Sequence, residues 1–310
     1  MAQTNNTTNR TTNRTKNRTT QRSRSLRRAL RREVPSTVGL LADEQDFAAM
    51  RCYDTFAFDD HQVYLDQIDG LLRSLTSQGV HTTVALFDPA EYADFCEASG
   101  LDPDSADSRT RFTADIASAG ACVLYGGQSI EHLVPQLINE AVNQATWEYA
   151  TMLLAGLGEC ADCGADVGQS AFAQASRRLL HLLEGAGPGV HHLVCSVPTE
   201  DEPLLAVLHA ERLTGQPARL DHAEGAAFIT VLAAGIATES PGGVVLRTSG
   251  RGEADRVHGW KLNGGRLAPL TAGEVFNAYC TDAETGDPVA PESGVEYCAG
   301  FALPEEEPHH

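Results

Sequence analysis

The chain has 310 residues, of which 42% are hydrophobic and 21% charged, so it is long enough for one or two domains with ordinary cores. Its net charge of −19 is unevenly distributed, because ten of the 23 Lys and Arg residues lie in residues 1–33, where Glu33 is the single acidic residue. The remaining 13 basic and 41 acidic residues give the rest of the chain a net charge of −28, which disfavours binding to nucleic acid or to an anionic membrane.

Residues 1–33 form a basic arm that repeats Asn, Arg and Thr and is almost free of apolar side chains. Such a segment cannot bury enough surface to offset its ordering entropy, so the arm is predicted to be disordered. A dispensable extension is the favoured interpretation, and association with nucleic acid through the arm is a weaker alternative. No apolar signal-peptide segment follows the arm, and apolar stretches such as 152–157 are too short to span a membrane. We therefore expect a cytoplasmic protein with no membrane partner.

In residues 34–189 the sequence predicts helices interleaved with short strands. Capping residues mark several helix starts, as in Asp88-Pro89-Ala90-Glu91, where an N-cap carboxylate precedes a proline and an N3 glutamate. The predicted strands are 80–87 and 122–125, and the predicted helices are 59–79, 88–100, a short one around Phe112, 129–157 and one through Phe172 that ends near Gly185. The long helix carries Leu137 in an apolar stripe that is predicted to form the main core of this half.

Residues 190–281 are predicted to form a small, mainly antiparallel sheet covered by helices. The predicted strands are 190–197, 204–210, 243–248, 257–262 and 266–270, the last two joined by an Asn263-Gly264-Gly265 turn. Helices are predicted after Asp221 and Thr271, and the acidic segment 282–310 is predicted to be irregular. The breaker run 185–189 predicts a boundary between the two halves. The expected fold class is therefore α+β.

Four stretches of the chain carry a resemblance to a known group: 42–47, 79–96, 144–160 and 270–282. In these stretches the chain resembles an uncharacterised protein group of high-GC actinobacteria. That group has no assigned activity, fold or site residues. The resemblance therefore implies no function and no cofactor.

The strongest chemical motif is Cys160-Ala161-Asp162-Cys163-Gly164, which has the spacing of a zinc knuckle. One knuckle supplies half of a tetrahedral site, and Cys195 with a neighbouring histidine offers the other half. Residues on a strand share a face when they are an even number apart, so His191 is a better partner for Cys195 than His192 is. The candidate zinc ligands are therefore Cys160, Cys163, His191 and Cys195.

Two other interpretations of the cysteines remain open. In the first, which we favour, Cys160 and Cys163 are two ordinary loop thiols. The Cys-x-x-Cys spacing alone often occurs in proteins that bind no metal. In the second, the two cysteines form a redox pair. A thioredoxin-like Cys-x-x-Cys motif lies between a strand and the start of a helix, whereas Cys160 and Cys163 follow a predicted helix.

Other candidate sites have simpler explanations. Asp59-Asp60-His61 could bind a metal or exchange a proton, but it coincides with a predicted helix N-terminus, where acidic residues are common caps. The acidic run 102–107 lacks the glycine and glutamate of a calcium loop. Glycines 185, 187 and 189 precede a strand, so they do not form a dinucleotide-binding fingerprint. No catalytic signature is present in the sequence.

Two main functional hypotheses follow. In the first, the protein is a non-catalytic interaction or regulatory protein with the second half as a binding module, and a zinc ion, if present, is structural and fastens the helical half to the sheet. In the second, it is an enzyme of unrecognised type that uses Cys160, Cys163 or His191 between the halves. The sequence names no ligand and no protein partner.

Overall fold

The computed structural model describes residues 36–161, 163–199, 203–250, 252–282 and 285–304. These residues form helices and two sheets, so the predicted α+β class is confirmed. The chain divides into two compact units, Met1–Gln144 and Ala145–His310. The basic arm, residues 1–33, lies outside the described residues.

The first unit is built around a three-stranded sheet of order β1-β2-β3. Its strands are β1 (Ser36–Leu40), β2 (Thr82–Leu86) and β3 (Cys122–Leu124). Its helices are α1 (Glu44–Met50), α2 (His61–Ser77), α3 (Pro89–Ser99) and α4 (Ala106–Ala119), followed by the start of α5 (Ile130–Gly156). β1 and β2 are parallel, whereas β3 runs antiparallel to β2.

Local capping chemistry sets the helix boundaries in this unit. The Asp88 side chain accepts hydrogen bonds from the N–H groups of Ala90 and Glu91, and α3 ends at Gly100 in the left-handed conformation, with φ 64°. The Asp60 carboxylate accepts the Val63 N–H at 2.9 Å, so the segment Asp59-Asp60-His61 is confirmed as a helix N-terminus.

The core of the first unit contains side chains from β1, β2 and all five helices, among them Leu40, Val84, Phe87, Tyr92 and Leu137. Leu137 is fully buried, in agreement with the predicted apolar stripe of the long helix.

The second unit contains a seven-stranded sheet of order β10-β8-β7-β4-β5-β6, with β9 also paired to β8. Its strands are β4 (Gly189–Val197), β5 (Leu204–Arg212), β6 (Arg219–Leu220), β7 (Gly242–Ser249), β8 (Asp255–Asn263), β9 (Arg266–Pro269) and β10 (Val295–Tyr297). Its helices, besides the end of α5, are α6 (Val167–Ala186), α7 (His222–Ala237) and α8 (Ala272–Tyr279). All pairs are antiparallel except β10 with β8, so the predicted mainly antiparallel sheet is confirmed.

Helices α6 and α7 cover one face of this sheet, and their buried side chains join those of β4, β5 and β7 in one core. Leu182 of α6 and Phe228 of α7 are fully buried there, together with Leu193 of β4. Because α6 contributes to the core of the sheet, it belongs to the second unit. The division of the chain therefore lies at residue 144, earlier than the breaker run at 185–189 suggested.

The segment after residue 282 differs from the irregular tail that its composition suggested. It contains β10, and the indole Nε1–H of Trp260 donates to the Phe301 carbonyl at 2.9 Å. Backbone pairing with β8 and this buried donor hold a short strand, Val295–Tyr297, within a segment that is otherwise rich in Gly, Pro and acidic residues. None of the described helices has the length and apolar character that a membrane-spanning helix requires.

Candidate functional site

An apolar pocket with a volume of about 280 Å³ lies in the first unit, beside the carboxyl ends of the parallel strands β1 and β2. Its apolar lining includes Leu41, Met50, Phe56, Phe58, Ile68 and Phe87. Crevices at the carboxyl ends of parallel strands are common ligand sites in α/β sheets. The volume is close to the lower end of the range of about 300–1,000 Å³ that is typical of small-molecule sites.

Glycine at position 39 allows close packing on the β1 side of the pocket. A Cβ atom built there would lie 3.0 Å from Cδ2 of Phe87 and 3.3 Å from Oγ1 of Thr113, closer than side chains normally pack. The absence of a side chain at Gly39 thus lets Phe87 and α4 approach β1 closely. The wall of the pocket depends on this contact.

Asp104 anchors the segment 54–58, which forms the rim of the pocket. Its Oδ1 accepts the Thr55 N–H at 2.8 Å and the Thr55 hydroxyl at 2.7 Å, and its Oδ2 accepts the Asp54 N–H at 3.1 Å. These hydrogen bonds, first that of the Thr55 N–H, lower the pKa of the Asp104 carboxyl. The acidic turn at 102–107 therefore tethers the rim by hydrogen bonds.

Arg109 lies near the start of α4. Among the described residues that line the pocket, it is the one with a charged side chain. Its Nη2–H donates to the Thr55 carbonyl at 3.3 Å. Its Nη1 is buried and has no hydrogen-bond partner among the described residues. A buried guanidinium N–H without an acceptor is unfavourable, and because this atom is also closed off from solvent, a ligand in the pocket does not reach it.

The opposite wall is a cluster of aromatic rings. The Phe56 and Phe58 centroids are 5.3 Å apart, and Phe58 meets Tyr64 edge-on at 5.2 Å. The Tyr64 hydroxyl accepts the Leu41 N–H at 3.1 Å, and burial raises the pKa of Tyr64 to about 12. Tyr64 is therefore neutral near pH 7, and the wall offers aromatic faces and edges to a ligand.

The sequence did not identify this pocket, because its lining comes from separate segments of the chain. Phe56-Ala57-Phe58 between two capped helices was the available signal. Arg109, two residues from the exposed Arg111, looks like part of a solvated helix face, and its hydrogen bond to the Thr55 carbonyl joins two segments that are distant in sequence.

Two of the predicted zinc ligands lie in the turn between α5 and α6 of the second unit. The Cys160 N–H donates to the Ala165 carbonyl and the Gly164 N–H to the Cys160 carbonyl, both at 2.8 Å. Cys160 and Cys163 line a second pocket of about 330 Å³, together with Arg178.

The other two predicted ligands lie on β4. His191 and Cys195 share its buried face, as predicted from their spacing. The His191 Nε2–H donates to the Gly187 carbonyl at 3.1 Å, so Nδ1 accepts from the Thr248 hydroxyl at 3.0 Å. Burial lowers the pKa of His191 and raises the pKa of the Cys195 thiol to about 12. Both ring nitrogens are therefore engaged, and Cys195 is a protonated thiol.

Across the described ranges, no three His, Cys, Asp or Glu side chains are grouped so that they could hold a metal ion. Cys160, Cys163, His191 and Cys195 are all described, so the structure does not assemble them into such a group. A zinc ion would need thiolate at Cys195 and a nitrogen lone pair that His191 already uses. The four-ligand zinc site stays a prediction without support from this geometry.

A histidine pair on the exposed face of the second sheet was not singled out as a site by the sequence. The His192 and His209 rings lie 4.8 Å apart across β4 and β5. Glu224, in the first turn of α7, accepts the His209 N–H at 2.8 Å and lies 3.2 Å from its Nδ1. Burial, followed by the proximity of His209, lowers the pKa of His192. This arrangement fastens the start of α7 to the edge of β5.

Comparison with known families adds information about the first unit. A family model described as a domain of unknown function (DUF8829) matches residues 25–128. The matched range contains β1 to β3, α1 to α4 and all the lining residues of the apolar pocket. No curated protein and no solved structure matches the chain. The resemblance to a group without assigned function is thus confirmed by a family of unknown function.

Proposed function

We propose that the protein is a non-catalytic cytoplasmic regulatory protein whose first unit binds a small, mainly apolar molecule. The observation that carries this proposal is the apolar pocket beside β1 and β2, whose lining includes the rings of Phe56, Phe58 and Phe87. The binding function expected for the second half is thereby assigned to the first unit, which the family model matches. All eight cysteines lie in the described residues, and none forms a disulfide. Free cysteines are typical of a reducing compartment, which supports the cytoplasmic part of the proposal.

The chemistry of the lining supports binding over catalysis. Among the described residues that line the pocket there is no His, Asp, Glu or Cys that could act as a base or nucleophile. Both threonine hydroxyls of the lining are engaged: Thr55 donates to Asp104, and Thr113 donates to the Arg109 carbonyl at 2.9 Å. Tyr64 is too weak an acid to deprotonate near neutral pH. The enzyme hypothesis built on Cys160, Cys163 or His191 stays a prediction.

The position of the rim supports a regulatory role. Segment 54–58 contributes Phe56 and Phe58 to the pocket, and its described tethers to α4 and the preceding turn are hydrogen bonds from exposed groups. A ligand packed against these two rings would add contacts to the segment. Ligand binding would therefore stabilise the rim and change the surface that it presents.

The proposal is tested by binding of a neutral probe, 3-phenyl-1-propanol, to the full chain. We expect the probe to raise the unfolding temperature of the wild type, because a ligand that binds only the folded state stabilises it. The variant Ile68→Phe fills part of the pocket and should lose this response. Val63→Phe is the matched control, since Val63 lies on the same helix, is 50% exposed and does not line the pocket.

Retention of the full response in Ile68→Phe would place the probe elsewhere and contradict the proposal. An absence of any response in the wild type up to millimolar probe would also contradict it. Isothermal titration calorimetry on the same three proteins supplies the dissociation constants.

A further inference from the structure

We propose that Cys160 and Cys163 are a reversible redox pair, which is oxidised to a disulfide by exchange with a small disulfide of an amino-acid thiol, such as cystine. The site is the pocket of about 330 Å³ in the second unit, which both cysteines line. It is separate from the apolar pocket of the first unit, so this inference is independent of the proposed ligand-binding function. It follows from the turn, the exposure of the thiols and the charges of the pocket.

The turn between α5 and α6 holds the two cysteines near each other. The Gly164 N–H donates to the Cys160 carbonyl at 2.8 Å, and Gly164 has a left-handed φ of 71°. A hydrogen bond between residues four positions apart is that of one helical turn, in which residues three positions apart have Cα atoms about 5 Å apart. A disulfide joins residues whose Cα atoms are about 4.4–6.8 Å apart. The turn therefore places Cys160 and Cys163 within reach of a disulfide.

The two thiols differ in exposure. Cys163 is exposed and Cys160 is half-buried, and neither forms a disulfide in this structure. Disulfide exchange begins when a thiolate attacks a sulfur atom of a disulfide, and its rate depends on access. Cys163 is therefore the attacking residue, and Cys160 resolves the product. In a reducing compartment such a pair rests as thiols and forms a disulfide transiently.

The exchange balances without a further reactant. The Cys163 thiol gives its proton to water, and its sulfur bonds to one sulfur of cystine while the S–S bond of cystine breaks and one cysteine leaves as a thiol. The Cys160 sulfur, after losing its proton, then bonds to Sγ of Cys163 and displaces the second cysteine. Two protein thiols are oxidised to one disulfide, and one cystine is reduced to two cysteines.

Two oppositely charged side chains line the same pocket, Glu239 after α7 and Arg266 at the start of β9. Both are exposed, and neither takes part in a salt bridge among the described residues. Each half of cystine carries an ammonium, which complements Glu239, and a carboxylate, which complements Arg266. Because cystine has no net charge, the net charge of −19 on the chain does not repel it.

The first test treats the reduced full chain with cystine and follows the products by mass spectrometry. The wild type should release two cysteines per chain and contain a Cys160–Cys163 disulfide in its peptide map. Excess cysteine should restore both thiols. The variant Cys160→Ser should stop with one cysteinyl group on Cys163, because the resolving thiol is absent. In Cys163→Ser, reaction at Cys160 should be about tenfold slower than reaction at Cys163 in Cys160→Ser, because Cys160 is less exposed.

The second test measures the choice of oxidant with cystine and the neutral bis(2-hydroxyethyl) disulfide, each rate divided by that of 2-mercaptoethanol with the same disulfide. Cys163 should prefer cystine about fivefold or more on this scale, through charge-assisted hydrogen bonds in the pocket. Glu239→Gln and Arg266→Gln should each reduce the preference and leave the rate with the neutral disulfide unchanged. Arg219→Gln is the matched control, because Arg219 is exposed on β6 and does not line the pocket.

The redox pair is overturned if cystine produces no Cys160–Cys163 disulfide in the wild type, or if excess cysteine does not reverse it. Equal rates at Cys160 and Cys163 in the two single variants would overturn the assigned order of attack. If the pair forms but reacts with both disulfides equally on the normalised scale, the amino-acid class of the oxidant is wrong. An equal loss of preference in Arg219→Gln would also contradict recognition by Glu239 and Arg266.

Discussion

Three polar side chains, Tyr64, His191 and Trp260, are buried and held by specific hydrogen bonds. Tyr64 receives the Leu41 N–H in the first unit, and Trp260 donates to the Phe301 carbonyl in the second. His191 bridges Gly187 and Thr248 as a neutral ring. In each case the hydrogen bond fixes the position of the side chain, and for Tyr64 and His191 burial also favours the neutral form.

His191 should make the second unit sensitive to acid. Burial, aided by Arg212 and Arg256, lowers its pKa below the ordinary value of 6.5 in the folded state. The unfolded chain therefore binds a proton more readily, so the contribution of neutral His191 is present above about pH 6.5 and is lost as the pH falls below it. Urea unfolding at pH 7 and pH 5 measures this loss.

The variant His191→Gln removes the titrating group and should show a smaller loss of unfolding free energy between pH 7 and pH 5 than the wild type. Gln can still donate to the Gly187 carbonyl and accept from Thr248. An equal loss in both proteins would show that His191 does not resist protonation in the folded state.

At the scale of elements, helix starts were predictable and lone strands were not. Asp88, Asp221 and Thr271 each cap a helix as predicted, because capping depends on residues within three or four positions. The sequence did not predict β1 or β10. Both are short, and each is a strand through pairing with a distant segment, β2 and β8 respectively.

For the candidate sites too, features that depend on neighbouring residues were predictable, and features that depend on distant residues were not. The face shared by His191 and Cys195 was predictable, since it depends on strand periodicity alone. The environment of Arg109 was not, because it depends on Thr55, 54 residues away along the chain. The proposed zinc site required the same kind of long-range information, and the described residues do not bring its four ligands together.

Helix α5 supplies a test of the core of the first unit. Leu137 is fully buried there, whereas the adjacent Ile138 is 45% exposed. Leu137→Ala should lower the unfolding free energy by about 2–5 kcal/mol, through loss of buried surface and creation of a cavity. Ile138→Ala, the control, should lower it by a smaller amount. A loss below about 0.5 kcal/mol in Leu137→Ala, measured by urea unfolding, would contradict the assigned core.

At the scale of the whole molecule, the chain consists of two units with different architectures and different cores. The family model matches the first unit, which is also the unit that contains the apolar pocket. The second unit has the buried His191 and Cys195 and an antiparallel sheet with helices. Under the proposed function, the first unit is the part that binds the ligand.

The most direct measurement is a crystal structure of the full chain grown with 3-phenyl-1-propanol. Density for the probe is expected between Phe56, Phe58 and Phe87. Density found only beside Cys160 and Cys163 in the second unit, or no density between the three rings, would contradict the proposed binding function.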